Sequence, residues 1–397
     1  MEKKVFVQFG AGNIGRSFMG RVFGSAGYEV NFIDINEAVI DTLNRDHQYQ
    51  VVVKKNAVAD RVITIASVKG IYSNNREAVV EAICRAAVLA TSVGKNILPL
   101  IAPSVAAGLM ERYRKAPETP LNIILAENIH NGAAFFAGEL RKHLPGHFPL
   151  AEYVGLIETS IGKMVPIMPK SIVEQNPTIV FSEEYNTLIL DRQAFIGQVP
   201  KIEAIMAVDN IAAYVDRKLC IHNLGHAAVS YLGNRSMPEA VYLYEVLQNP
   251  ELLDRVRATM LQSAAGLLAE YPDVFTHADL VEHIDDLLER FQNVALGDTI
   301  FRVGRDLPRK LYRDDRVLGA ARLCLKHDLP CDNILDVFMA GLEFGAADES
   351  GERFPADLRM IGNFREHGLE WILEHICKLD TGDAADVRIA EALKGRV

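Results

Sequence analysis

The chain has 397 residues, two to three times the ~100–200 of an ordinary domain, so two domains are expected rather than one small module. Apolar residues make up 49% and charged residues 24%, globular values that exclude wholesale disorder and a fibrous repeat. The net charge of −10, from 42 basic and 52 acidic side chains, repels phosphate backbones and anionic lipid heads, which argues against nucleic acid and membrane surfaces as partners.

No apolar run reaches the ~18 residues needed to cross a bilayer, and no charged and apolar signal segment precedes the first strand-like stretch, so a cytoplasmic protein is expected. The five cysteines, Cys84, Cys220, Cys324, Cys331 and Cys377, are odd in number and never spaced Cys-x-x-Cys. Buried free thiols are expected, with neither a disulfide framework nor a structural zinc.

In chain order, the first ~150 residues alternate helical patterns with short apolar runs: "KVFVQFG", "EVNFIDI", "RVITIASV", "AAVLATSVG" and "NIILAEN". Near-continuous apolar runs of this kind mark strands buried on both faces, hence a parallel sheet covered by helices: a doubly wound α/β domain. From 152 to 190 the pattern is mixed, and "YVGLIETSIGKMVPIMP" and "NTLILD" read as extra extended segments. After Val199 apolar residues recur at i, i+3, i+4 and i+7, as in "PELLDRVRATMLQSAAGLLAEY", and predict a mostly helical second domain. "IGQVP" supplies the Gly and Pro of a boundary, dividing the chain into 1–198 and 199–397.

"VFVQFGAGNIGRSF" puts Gly10, Ala11, Gly12, Asn13, Ile14 and Gly15 between a strand and a helix, and the next strand ends in Asp34. In a Rossmann-type unit the first glycine makes the tight turn, the second admits a pyrophosphate to the backbone, and the third packs helix on sheet; the helix N-terminus favours the anion. Asp34 would accept from ribose hydroxyls and repel the extra phosphate of NADP, which favours NAD, although glycines and acid alone leave FAD open. Thr91, Val93 and Gly94 of "ATSVGKN" end a later strand at the same carboxyl edge, as cofactor contacts or as an ordinary turn, and Lys95 beside them faces a phosphate or water.

The chemistry is concentrated in "YVDRKLCIHNLGHAAVSYLG". On an α-helix at ~100° per residue, Lys218, Asn223 and His226 fall near 0°, 140° and 80°, one sector able to face one cavity. Alcohol oxidation or carbonyl reduction needs a proton-transfer group at the reacting oxygen and donors for the developing alkoxide, which these three types supply. Lys218 serves as a base near neutrality only if burial and a neighbouring cation lower its pKa. Without comparison, a Lys, an Asn and a His on one helix are more often surface or satisfied core residues. His222 and His226 are spaced like two zinc ligands, but Asn223 stands where a zincin has Glu and no third ligand is evident, so no metal is expected.

Lys-x4-Asn-x2-His, kept here as Lys218, Asn223 and His226 within "RKLCIHNLGHA", together with "QFGAGNIGR", resembles the polyol-specific long-chain dehydrogenase (mannitol dehydrogenase) family over essentially the whole chain. The resemblance implies a metal-independent dehydrogenase using NAD, with Lys218 as general base and Asn223 and His226 holding the substrate oxygen. It also implies Asn128 of "AENIHNG" beside the nicotinamide and Glu127 as a proton relay or substrate contact. Three places depart from the family: Gly162 and Lys163 in "IGKMVP" replace an Asp-Arg pair, "NTLILD" replaces a Trp-Val-Ile-Glu-Asp segment, and His222 stands where an apolar residue is common.

"RVGRDLPRKLYRDDR" carries Arg302, Arg305, Arg309, Lys310, Arg313 and Arg316. With Lys163, these are the candidate grip on a substrate anion, since guanidinium forks bind phosphate at two points. The opposing reading is a solvated face neutralised by Asp306, Asp314 and Asp315. The resemblance, with these cations, implies a reaction that interconverts mannitol 1-phosphate and fructose 6-phosphate. A dehydrogenase of free polyols or of hexonates such as mannonate or altronate is the nearest alternative, and a non-catalytic NAD(H) sensor a distant one. The chain is expected as a monomer or homodimer.

Overall fold

The computed structural model describes residues 3–56, 58–127, 129 and 131–396. They form two compact units, 1–211 and 212–397.

The first unit contains β1 (Val5–Phe9), β2 (Glu29–Asp34), β3 (Gln48–Lys54), β4 (Arg61–Ala66), β5 (Val68–Tyr72), β6 (Ala86–Thr91), β7 (Leu121–Leu125), β8 (Val154–Ser160), β9 (Val180–Glu183), β10 (Leu188–Asp191) and β11 (Ile205–Val208). Among the described residues the main sheet runs β11-β10-β8-β7-β6-β1-β2-β5. It is parallel from β8 to β5, while β10 pairs antiparallel with β8 and parallel with β11. Side chains of β1 alternate between two apolar layers: Val5, Val7 and Phe9 pack with Leu89, Ile123 and Val105, and Phe6 packs on the opposite face with Phe23, Phe32 and Ile124. A sheet buried on both faces is what the unbroken apolar runs encode. The strand order reverses between β1 and β6, and crevices outside the carboxyl ends at such a reversal are where open α/β sheets bind ligands.

Two sequence expectations change. "RVITIASV" is not one strand of the main sheet: Ser67 takes a positive φ of 59° and splits the run. The β4 half pairs antiparallel with β3 in a separate sheet of order β4-β3-β9, and only β5 joins the main sheet beside β2. The division of the chain falls at 211 rather than at 198, because β11, beyond the Gly197 and Pro200 turn, still pairs with β10. The extended segments of 152–190 serve both sheets, β8 and β10 the large one and β9 the small one.

The second unit packs Leu224–Ser236, His277–Phe291, Leu318–Lys326 and Asp332–Leu342 around the long helix Pro250–Glu270. Asn249 caps that helix by accepting from the Glu251 and Leu252 N–H groups, with Pro250 in the first turn where its missing N–H costs nothing. Four of the five cysteines are buried free thiols and Cys84 is half-buried. Among the described residues no helix is long and apolar enough to cross a membrane.

Phe6, fully buried and stacked on Phe23 at 3.9 Å, anchors one layer. Phe6→Ala is expected to lower unfolding free energy in urea by about 3–5 kcal/mol, whereas Leu100→Ser, at a side chain 71% exposed, stays within about 0.5 kcal/mol.

Candidate active site

The first unit holds a dinucleotide cradle at the ends of β1, β2 and β6. Gly10 turns with φ 91°, its N–H bonded to the Ile33 carbonyl at 2.9 Å; a Cβ here would meet the Ser92 carbonyl oxygen at 2.8 Å. Gly15 lies so close to the Gly10 carbonyl that a Cβ would overlap it, which packs helix onto strand. Gly12 is exposed and its Cβ direction is open space, as the close approach of a pyrophosphate requires. The helix that follows is not regular: Gly15–Gly20 is π-helical before α-helix resumes at Arg21–Ser25.

The Asp34 carboxylate takes the Ala11 N–H at 2.6 Å and the Asn36 N–H at 2.9 Å. Two of its roughly four acceptor positions are thus spent on fixing the loop, which leaves two for ribose hydroxyls. The residues present therefore fit a bound NAD.

Glu127 holds both Thr91 and Val93 within their own unit. The Thr91 hydroxyl donates to Glu127 at 2.7 Å and the Val93 N–H donates to it at 3.0 Å, while Gly94 turns with φ 89°. Glu127 is buried, and burial pushes its pKa up against the opposing effect of those hydrogen bonds. Its carboxyl ties the end of β6 to the end of β7. Asn128 lies outside the described residues. The Lys163 ammonium is buried against the carbonyls of Glu183 and Tyr185 and over the Phe18 ring, so this departure from the family pattern braces the small sheet of its own unit.

The second unit carries Lys218, Asn223 and His226, and here the backbone departs from the α-helix assumed from the sequence. Lys218–Asn223 is π-helical, joined without a break to the α-helix Leu224–Ser236. A π turn bonds i to i+5 and stacks those residues one above the other, so Lys218 and Asn223 share a side instead of lying 140° apart. His226 follows Asn223 by three positions on the α-helical stretch and extends the same face.

Lys218 is half-buried, and its pKa falls to about 8, first through desolvation and then through the Arg316 charge. Burial drives the His226 pKa well below the usual imidazole value, followed by the charges of Arg316, Arg302, Lys310 and Arg290. Its Nε2 is buried and has no hydrogen-bond partner among the described residues. His226 stacks on Phe291 at 4.1 Å, and His222 meets His226 edge to face at 4.8 Å. Among the described residues no three His, Cys, Asp or Glu side chains are grouped as metal ligands.

The basic run divides. Arg309 pairs with Asp306 and Asp315, and Arg313 with Asp314, Asp383 and Asp386, as in the neutralised-face reading extended to the C-terminal helix. Arg305 lies over the Phe301 and Phe354 rings. Arg302 pairs with Asp298 and Arg316 with Asp315, yet both bear on His226, as does Lys310. Lys310 is buried with its ammonium on the Val303 carbonyl, and its pKa drops to about 7 through burial and then through Arg316 and Arg309, against Asp306 and Asp357. Of the residues around His226, Arg290 and Phe291 went unnoticed in the sequence; they lie more than sixty positions away and carry no motif.

A glycine-rich turn with a carboxylate at the end of the next strand in one unit, and in the other a lysine whose pKa is lowered to about 8, are features of the class of dinucleotide-dependent oxidoreductases. Residues 4–204 match the family model described as mannitol dehydrogenase Rossmann domain, and residues 210–372 match mannitol dehydrogenase C-terminal domain. The chain belongs to the mannitol dehydrogenase family. Similar solved structures include the Pseudomonas fluorescens mannitol 2-dehydrogenase ternary complex with NAD and D-mannitol, at 15% identity over 99% of this chain and 91% of that one, with TM-score 0.71. A substrate-free D-sorbitol dehydrogenase is similar at 14% identity over 98% and 92%, with TM-score 0.76. At these identities the likeness is one of fold.

Gly12→Val should abolish NADH binding in a fluorescence titration without lowering the melting temperature, since its side chain enters open space. Gly15→Ala should lower both, because its methyl group meets the Gly10 carbonyl. Loss of melting temperature in Gly12→Val would contradict this assignment.

Proposed function

We propose that this protein, an NAD-dependent polyol dehydrogenase by family, interconverts mannitol 1-phosphate and fructose 6-phosphate. The observation that carries the phosphate is the field around His226: Arg316, Arg302, Lys310 and Arg290 all act on it, in a chain whose net charge is −10. Arg302, Arg316 and Arg290 already pair with Asp298, Asp315 and Asp286, so a phosphate would join this cluster as a further partner of its guanidinium groups, a role a neutral polyol does not fill. The mannitol and sorbitol named for the two similar structures are not phosphorylated, so the phosphate rests on these cations alone.

In the oxidising direction the neutral Lys218 amine takes the hydroxyl proton of the secondary carbinol. Asn223 donates its side-chain amide to the same oxygen. His226, kept neutral by burial and its cationic neighbours, offers its unpaired Nε2 there. Bound NAD supplies the hydride acceptor for the carbinol carbon. In the reducing direction the Lys218 ammonium returns the proton to the forming alkoxide, which the same donors stabilise.

The sign of the pH dependence follows. Oxidation needs Lys218 deprotonated, so its kcat rises with pH through about 8; reduction needs it protonated, so its kcat falls through about 8. Arg316→Gln removes the cation that helps hold that value down and should move both curves to higher pH. Lys218→Ala should lose roughly a thousandfold or more in kcat with NADH affinity nearly unchanged.

The substrate is tested by following NADH oxidation with fructose 6-phosphate, fructose, fructuronate and tagaturonate side by side. Turnover confined to the phosphate is expected. Equal turnover of fructose would sink the phosphate reading, and activity on a uronate alone would make the anion a carboxylate.

A further inference from the structure

We propose that His222 and Phe291 are positioning residues that clamp the imidazole of His226 in the orientation its role requires; this rests on the reading of His226 as a group that holds the substrate oxygen. The problem the clamp solves is visible in the hydrogen bonds. Among the described residues the Nε2 of His226 is buried without a partner, and a ring whose reactive nitrogen must stay open for substrate cannot be oriented through that nitrogen. The faces and edges of the ring are where its packing neighbours can fix its orientation.

Two aromatic neighbours meet it there. The Phe291 ring, at the C-terminal end of the helix His277–Phe291, stacks on His226 with centroids 4.1 Å apart and planes 27° from parallel. The His222 ring approaches at 4.8 Å and 62°. The same His222 ring lies 5.6 Å from Phe291, so the three close into a triangle in which each fixes the other two. Edge-to-face contacts set the positive rim of one ring against the negative face of another and so favour particular angles.

The backbone is arranged for this contact. His222 sits within the π turn Lys218–Asn223, one residue before Asn223, and is only 5% exposed. It is four residues from His226, the spacing at which side chains on one helix face meet, and the two rings are in contact. The charged and titratable groups acting on His222 are His226, Arg290, Lys218 and His283; with burial they hold its pKa well below the usual imidazole value. Both rings thus remain uncharged at neutral pH, the state in which an imidazole edge packs against another ring without repulsion. An aliphatic side chain here would fill the space without setting an angle, which gives a reason for a histidine at a position where the family commonly has an apolar residue.

The test has two arms, so that its failure can be told apart from failure of the proposed substrate. The first needs no turnover: protein carrying 15N-histidine is compared as wild type, His222→Ala and His222→Phe, with His226 assigned through His226→Gln. The wild type and His222→Phe should show His226 as a neutral imidazole in one tautomer with sharp signals, and His222→Ala should show averaged or broadened ones. Unchanged His226 signals in His222→Ala would overturn the proposal.

The second arm is a double-mutant cycle on kcat with whichever ketose the enzyme reduces. His222→Ala should lower kcat about tenfold with the NADH KM unchanged, and His222→Phe should recover most of that loss. In the His226→Ala background His222→Ala should cost nothing further, because a residue acting through another has no effect once that other is gone. Multiplying losses would show that His222 acts independently of His226 and would also overturn the clamp. Should His222→Ala fail to fold, His222→Leu, which fills the volume without an aromatic edge, carries the same expectations in both arms.

Discussion

The chemistry we propose for this protein depends on keeping positive charge out of water. Lys218 is an ordinary lysine until desolvation, and then Arg316, brings its pKa down to about 8. The same burial takes Lys310 to about 7 and keeps His222 and His226 neutral. A difference of one unit in pKa corresponds to about 1.4 kcal/mol between protonation states, so the second unit holds this cluster in place against a substantial desolvation cost. Local pairing of Arg302 with Asp298 and of Arg316 with Asp315 offsets part of that cost without cancelling the field at His226.

The π turn Lys218–Asn223 is the backbone counterpart of that arrangement. Helix formation favours i to i+4 bonding, and π turns occur mainly where a function holds them. Here the wider turn puts Lys218 and Asn223 on one side, and the His222 ring, four residues before His226, lies against it. The glycine-rich cradle of the first unit is followed by a π turn too, Gly15–Gly20, whose first residue packs against the Gly10 carbonyl. Each unit thus departs from regular helix at the segment that carries its chemistry.

How much of this could be read in the sequence depended on range. Gly10, Gly12, Gly15 and Asp34 were legible because strand, turn, helix and acid follow one another within a single supersecondary unit. Lys218, Asn223 and His226 were legible from spacing and resemblance, although the α-helical angle of 140° between the first two was not the geometry the chain adopts. The break at Ser67, a left-handed serine inside a β-branched run, left no signal. Nor did the tie of Thr91 and Val93 to Glu127, since a carboxylate more than thirty residues downstream is invisible to local pattern. The basic run was legible as a cluster of cations, but which of them bear on His226 and which are paired off with Asp306, Asp383 or Asp386 is decided by packing between helices far apart in sequence.

The most direct test of the account is the titration of Lys218 itself, followed by NMR of its 15N-labelled ammonium group between pH 6 and 11 and assigned by its disappearance in Lys218→Arg. The account predicts a midpoint near 8 that moves upward in Arg316→Gln. A midpoint near 10.5, the value of an unperturbed lysine, would contradict it, because Lys218 would then be protonated throughout the neutral range and could not serve as the base.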